Sequence, residues 1–219
     1  LGEPVGYPVS SFEGKLDSYF STIAALGEKY RDKIKIGAGM EISGINHDPE
    51  KAAQLAATDG LDFIIGSVHN NRGQADFFGF PYENEAECRM VLEDYLTEHF
   101  EIVKCGCCDV IGHIGYPLNH MLERGFRMSL FDYYDRMREL LREIVQSGIG
   151  IEVNTSGLRR RINETAPAPG FVKLYRELGG EIITVGSDAH DTTQAGFGLE
   201  QGFEILREAG FKYVTVFDK

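Results

Sequence analysis

The chain has 219 residues, 42% of them hydrophobic and 26% charged, a composition that supports a sizeable core and excludes intrinsic disorder. Its 22 lysines and arginines against 34 aspartates and glutamates leave a formal net charge of −12. That argues against non-specific binding to nucleic acid or an anionic membrane, and an anionic substrate would need local cations or metal to reverse the field.

The first predicted element is a helix over 11–30, with Leu16, Phe20, Ile23, Ala24 and Leu26 at roughly helical spacing. A strand over 34–42 follows, then a helix over 49–57 that starts at Pro49 behind Asp48 as N-cap. Further strands are expected at 63–68, 110–114, 149–153, 182–187 and 213–217, and further helices at 83–103, 130–146, 170–178 and 199–209. Gly148, Gly179 and Gly210 sit where a glycine would stop a helix. The strands are short, rich in Ile and Val, and apolar on both faces where they are clearest, which is how parallel strands covered on both sides read. Strand and helix alternate about six times with no linker or repeat, so the expectation is one parallel α/β domain over 1–219. A barrel and an open doubly wound sheet both fit that pattern. Site-like polar residues recur at strand ends around the whole series, which favours a barrel, because a barrel gathers all those ends at one mouth.

No apolar run approaches the roughly 20 residues needed to cross a bilayer. The opening LGEPVGYPVSSFEGK has neither the basic nor the apolar region of a secretory signal, so a cytoplasmic protein is expected. The four cysteines are Cys88, Cys105, Cys107 and Cys108. The CGCC run fits neither a disulfide framework nor paired CxxC zinc ligands, and the thiols read as small buried hydrophobes in a reducing compartment.

The chemistry-bearing residues follow the strands. Glu41 lies in GAGMEIS, His69 in IIGSVHN, His113 in DVIGHIG, and Asp188 and His190 in ITVGSDAH. Imidazole and carboxylate are the ligand set of Zn, Mn and Fe sites, and residues i and i+2 leaving a strand point the same way. Each has an ordinary alternative: a strand-end His held by local hydrogen bonds, a solvated Glu41, or Asp188 capping the next helix. Recurrence on four strands, each time behind a glycine or small residue, points instead to a shared metal site. His47, His99 and His120 read as surface residues, although the loop carrying His120 follows a site strand.

A second constellation is EVNTSGLRRR, in which Arg159, Arg160 and Arg161 follow the polar residues Asn154, Thr155 and Ser156. Arginine grips phosphate oxygens as a bidentate fork, so these three form a candidate anion-binding lip, with Arg72 after His69 as a further contributor. The alternative is a solvated basic loop. No GxxxxGK[ST], GxGxxG or GxSxG is present, which argues against a P-loop, a dinucleotide fingerprint and a serine-hydrolase elbow.

GMEI, GSVHN, DVIGHIG, EVNTSG and GSDAH, in that order across nearly the whole chain, resemble the polymerase-and-histidinol-phosphatase (PHP) superfamily of metal-dependent phosphoesterases. Within it, the stretch PVGYPVSSFEGKLDSYFSTIAAL before the G-x-E strand is most similar to histidinol-phosphate phosphatases. The resemblance implies a distorted (β/α)7-type, TIM-like barrel with two or three divalent metals. It makes Glu41, His69, His113, Asp188 and His190 metal ligands, gives Asp188 and His190 a part in catalysis, and sets the phosphate against Arg159, Arg160 and Arg161. The family's N-terminal HxH has no counterpart upstream of Glu41, so the barrel's first βα units, on the order of 40–60 residues, are expected to be missing from this chain. The implied reaction is hydrolysis of a small phosphorylated metabolite, L-histidinol phosphate, in histidine biosynthesis. A nucleotide or phosphotyrosine substrate, or a degenerate barrel without catalysis, are the competing readings.

Overall fold

The computed structural model describes residues 15–218. The part of the first predicted helix before Lys15, and all but the last residue of the segment read for a secretory signal, lie outside them. Five strands form one parallel sheet in the order β1 (Gly39–Ser43), β2 (Phe63–Ser67), β3 (Val110–Ile111), β4 (Gly150–Asn154), β5 (Ile183–Gly186). Every neighbour pair is parallel, so all the C-terminal ends lie along one edge. The helices are α1 (Leu16–Tyr30), α2 (Pro49–Ala56), α3 (Glu85–Cys105), α4 (Tyr116–Glu123), α5 (Tyr134–Ser147), α6 (Pro169–Glu177) and α7 (Leu199–Glu208). Packing runs from α3 to α5, α5 to α6 and α6 to α7, over a core that includes Leu92, Tyr95, Ile111, Leu140, Ile151, Val153 and Phe171. All of β4 is buried, in keeping with a strand covered on both faces.

Local chemistry sets the helix ends. The Asp48 carboxylate accepts from the Lys51 amide at 3.2 Å, with Pro49 in the first turn. Asn84 accepts from the Glu87 amide at 3.0 Å to start α3, and Gly106, at φ +64°, ends it. No helix among the described residues is long and apolar enough to cross a membrane. Cys88 is buried, the other three cysteines are half-buried, and all four are free thiols.

Three expectations need correction. The stretch 213–217 is not a strand: the Thr215 amide donates to the Ile183 carbonyl at 2.8 Å, but Tyr213 and Val216 are largely exposed. It instead reaches across to β1's neighbour, where the Phe217 ring stacks on Phe63 at 4.9 Å and Asp218 pairs with Lys35 at 2.5 Å. The segment holding His120 is a helix, α4, with Pro117 in its first turn. His99 and His120 are buried, not surface residues. His99 sits one turn after Tyr95 on the core stripe of α3, its Nδ1 2.8 Å from the Tyr95 carbonyl, and burial pushes its pKa down to about 4.

His47 and Arg72 belong to a polar knot outside the strand-end cluster. Glu98, on α3, receives the Asn46 amide, lies 2.8 Å from His47 Nε2 and accepts from the Arg72 backbone N–H at 2.7 Å. The Arg72 guanidinium turns to the Asn46 carbonyl at 2.7 Å and to Glu101, away from any anion-binding lip. Burial alone would raise the pKa of Glu98, but these donors hold it at about 2. Because that pKa is depressed, the stability it confers is complete above the unfolded carboxylate range and lost as pH falls toward 2. Glu98→Gln should therefore cost about 2–3 kcal/mol at neutral pH, and the difference should shrink by about half or more by pH 3. Urea midpoints from pH 7 down to pH 3 check this, and a pH-independent difference would refute it.

Candidate metal centre

β1, β2 and β3 are lateral neighbours, with Glu41 opposite Ile65 and Ile65 opposite Val110. Glu41 projects from β1, His69 follows β2 by two residues, and His113 follows β3 by two. The result is a compact group. Glu41 Oε1 lies 2.9 Å from His113 Nε2 and 3.4 Å from His69 Nε2, and the two imidazole nitrogens are 3.1 Å apart. One ligand atom from each of the three residues falls within 4.8 Å of the others.

The glycines ahead of His113 and Asp188 have a steric reason. A Cβ at Gly112 would come within 2.6 Å of Ser67 Oγ and 2.7 Å of Ile65 Cγ2. A Cβ at Gly186 would overlap the carboxylate of Glu152. His113 and Asp188 adopt φ of +26° and +49°, a region that side chains other than glycine seldom occupy and that clusters at functional sites.

Burial opposes charge on Glu41, yet the hydrogen bond from His113 and the fields of both histidines hold its pKa at about 2. Burial likewise opposes the His113 imidazolium, but Glu41 outweighs it and raises that pKa. For His69, burial and the neighbouring His113 win, and its pKa is lowered. An ionised carboxylate and two imidazoles sharing one small volume are a donor set that a divalent transition metal fits, since the ion relieves the crowding of three electron-rich atoms.

Asp188 and His190 stand beside this group, not inside it. The Asp188 charge is felt at both His69 and His113, its Oδ2 receives the Asn154 amide at 3.4 Å, and its Oδ1 lies 3.3 Å from His190 Nε2. The His190 side chain is 77% exposed, so it faces solvent at the rim. The three arginines diverge. Arg159 donates to the Ser187 and Asp188 carbonyls, each at 2.6 Å, and so braces the loop that carries Asp188. Arg160 lines a cavity of about 350 Å³ that opens from His113, and Arg161 is exposed.

Sequence reading passed over two residues. Glu152, from the middle of β4 and 5% exposed, accepts from the His113 backbone N–H at 3.1 Å and from Asn154 Nδ2 at 3.1 Å. Burial pushes its pKa up, against the pull of His113. Its signal was a charge inside GIEVN, an otherwise apolar strand. Tyr116 packs its ring 5.0 Å from both His69 and His113 and 4.9 Å from His120.

A parallel sheet that gathers carboxylate and imidazole side chains toward the carboxyl ends of its strands is a layout that metal-dependent α/β enzymes use. The family model described as the PHP domain matches residues 14–156, and the chain belongs to that family. It is similar to the probable histidinol-phosphatase of Clostridium acetobutylicum, 26% identical over 215 residues that cover 96% of this chain and 80% of that one. It is also similar to the probable histidinol-phosphatase of Thermotoga maritima, 24% identical over 201 residues that cover 92% and 73%. The fold matches the crystal structure of histidinol phosphate phosphatase from Lactococcus lactis, complexed with Zn, L-histidinol and phosphate. The TM-score is 0.75 at 22% identity, covering 93% of this chain and 80% of that one.

Proposed function

We propose that this protein is a metal-dependent phosphomonoesterase that converts L-histidinol phosphate to L-histidinol and phosphate in histidine biosynthesis. The observation that carries this reading is the convergence of Glu41, His69 and His113 at the sheet's carboxyl edge, next to a cavity that Arg160 lines. Relatives named histidinol-phosphatases, and a neighbour with Zn, L-histidinol and phosphate bound, support it.

In this reading Glu41, His69 and His113 hold the metal, and Asp188 and His190 complete the set for a second or third ion. Zn, Mn and Fe all suit these donors. Bound there, a divalent ion supplies Lewis acidity and acidifies water near neutral pH. The chain's own residues do the rest. Glu41 stays ionised and His69 neutral, so both present lone pairs. Asp188, braced through its carbonyl by Arg159, would take the proton of the attacking water on a carboxylate oxygen and give it to the leaving alcohol, while His190, 3.3 Å away, orients that carboxylate. Arg160 donates to the phosphoryl oxygens and offsets charge that builds in the transition state, with Arg161 at the lip. We also read the sheet as part of a distorted (β/α)7-type barrel. The support is the 213–218 stretch, which links β5 to the β1–β2 side through Thr215, Phe217 and Asp218.

The test is turnover of L-histidinol phosphate beside nucleotide monophosphates and phosphotyrosine, before and after chelation. Chelation should lower kcat/KM by about 100-fold or more, with recovery on adding Zn or Mn. Equal or faster turnover of another ester overturns the substrate, and activity indifferent to chelator overturns the metal.

A further inference from the structure

His120 is a buried titratable group that this mechanism does not use, and unlike His99 it lines a cavity. It is 3% exposed and lines the same cavity as His113 and Arg160, with Asn119 and Glu164 also in the wall. Both of its ring nitrogens are buried, and neither has a hydrogen-bond partner among the described residues. Buried polar atoms are seldom left unsatisfied, and such an exception beside a cavity invites a ligand atom. The Tyr116 ring lies between: it touches His69 and His113 on one side and His120 on the other, so His120 stands one aromatic ring beyond the proposed metal ligands. That is where the alcohol part of a phosphomonoester would extend once its phosphate is at the centre.

The chemistry at Nε2 is set by its other neighbours. No hydrogen bond forms between His120 Nδ1 and Glu123, but the Glu123 carboxylate lies 3.4 Å away, and its negative charge favours the tautomer with the proton on Nδ1. The lone pair is then on Nε2, which makes it an acceptor. Burial lowers the pKa of His120, in keeping with a neutral ring. Phe78 closes over it edge-on at 5.7 Å and keeps the acceptor in an apolar setting.

We propose that His120 is a specificity-determining residue whose Nε2 accepts an N–H from the nitrogen-bearing part of the leaving alcohol. This rests on the phosphomonoesterase reading and deepens it: L-histidinol carries both an amine and an imidazole N–H, whereas most simple phosphate esters offer neither. A pocket built around a buried acceptor rejects ligands that cannot satisfy it.

The test compares L-histidinol phosphate with p-nitrophenyl phosphate, an ester without an N–H, in His120→Leu, His120→Gln and Glu123→Gln variants. In His120→Leu the ratio of the two kcat/KM values should fall by about tenfold or more, through KM rather than kcat. Calorimetric binding of L-histidinol to the metal-free protein should weaken by a similar factor. His120→Gln, whose amide oxygen can accept, should recover part of the ratio. A ratio unchanged in His120→Leu, or no loss of L-histidinol binding, overturns the inference. If circular dichroism shows that His120→Leu does not fold, Glu123→Gln decides. Its side chain is 45% exposed, and losing the charge beside Nδ1 should lower the ratio by about threefold or more, an unchanged ratio being the refuting result. Wild-type protein that hydrolyses p-nitrophenyl phosphate but not L-histidinol phosphate refutes the substrate reading. Wild-type turnover of L-histidinol phosphate matched by His120→Leu refutes only the role of His120.

Discussion

His113→Asn is expected to remove stoichiometric metal and to lower kcat/KM by at least about 100-fold, beyond the 10–100-fold typical of a residue that only supports a ligand. His113 is the hub of the group, 4% exposed, with its Nε2 within 3.1 Å of both His69 Nε2 and Glu41 Oε1. Without it, the compact group keeps only one carboxylate and one imidazole, too few donors to fix its ion. Asparagine is the informative replacement because it tolerates the positive φ that His113 adopts, and so isolates loss of the imidazole. His113→Ala should lose metal and activity equally but also melt lower, by about 2 kcal/mol or more, because truncating a buried ring leaves a cavity. Elemental analysis, steady-state kinetics and thermal denaturation of both variants separate the effects. Full metal content in His113→Asn, with rates within tenfold of wild type, would refute the assignment of this centre.

The same residues show what was legible in the chain and what was not. Five strands could be located because Ile and Val on both faces of a short run leave little alternative to a parallel strand under helices. The stretch 213–217 carries the same residue types, but its strand character depended on a partner on its far side, which local sequence does not report. The grouping of Glu41, His69 and His113 was legible because Glu41 lies in β1 and the two histidines lie just past β2 and β3, at the edge where parallel sheets gather their sites. His99 and His120 were misplaced because a histidine among charged residues looks solvated until its helix face is known. The spacing of His99 from Tyr95 and Leu92 was the available clue. Pro117 in a first turn was the clue to α4. The division of labour among Arg159, Arg160 and Arg161 was illegible, since consecutive residues point in different directions and only tertiary contacts decide which one meets a carbonyl. Glu152 was hidden by its motif: EVNTSG drew attention to the polar residues after the strand, while the charge inside it did the supporting.

Glu152→Gln and Glu152→Ala should both weaken metal binding and catalysis, by about 10–100-fold, but they should move stability in opposite directions. Glu152 Oε2 takes the His113 N–H and the Asn154 amide, and Asn154 in turn reaches Asp188, so this carboxylate ties the β3 end to the β5 end. A glutamine can accept from the same two donors, yet it removes a negative charge that supports His113 as a ligand. It also removes a buried charge, whose desolvation disfavours the folded state. Because burial raises the Glu152 pKa, the wild-type fold binds this proton more tightly than the unfolded chain does. Its stability therefore falls as pH rises from the unfolded carboxylate range through that raised pKa. Glu152→Gln lacks this penalty, so in chelator its melting temperature should equal or exceed wild type, with the gap widening from pH 5 to pH 8. Glu152→Ala strands two buried donors and should cost about 2–5 kcal/mol at any pH. Parallel melting shifts in the two variants, or metal affinity unchanged in Glu152→Gln, would show that Glu152 fills space without tuning the centre. Opposite shifts with a common loss of metal affinity would mean that the fold carries a destabilising buried charge for the sake of the site.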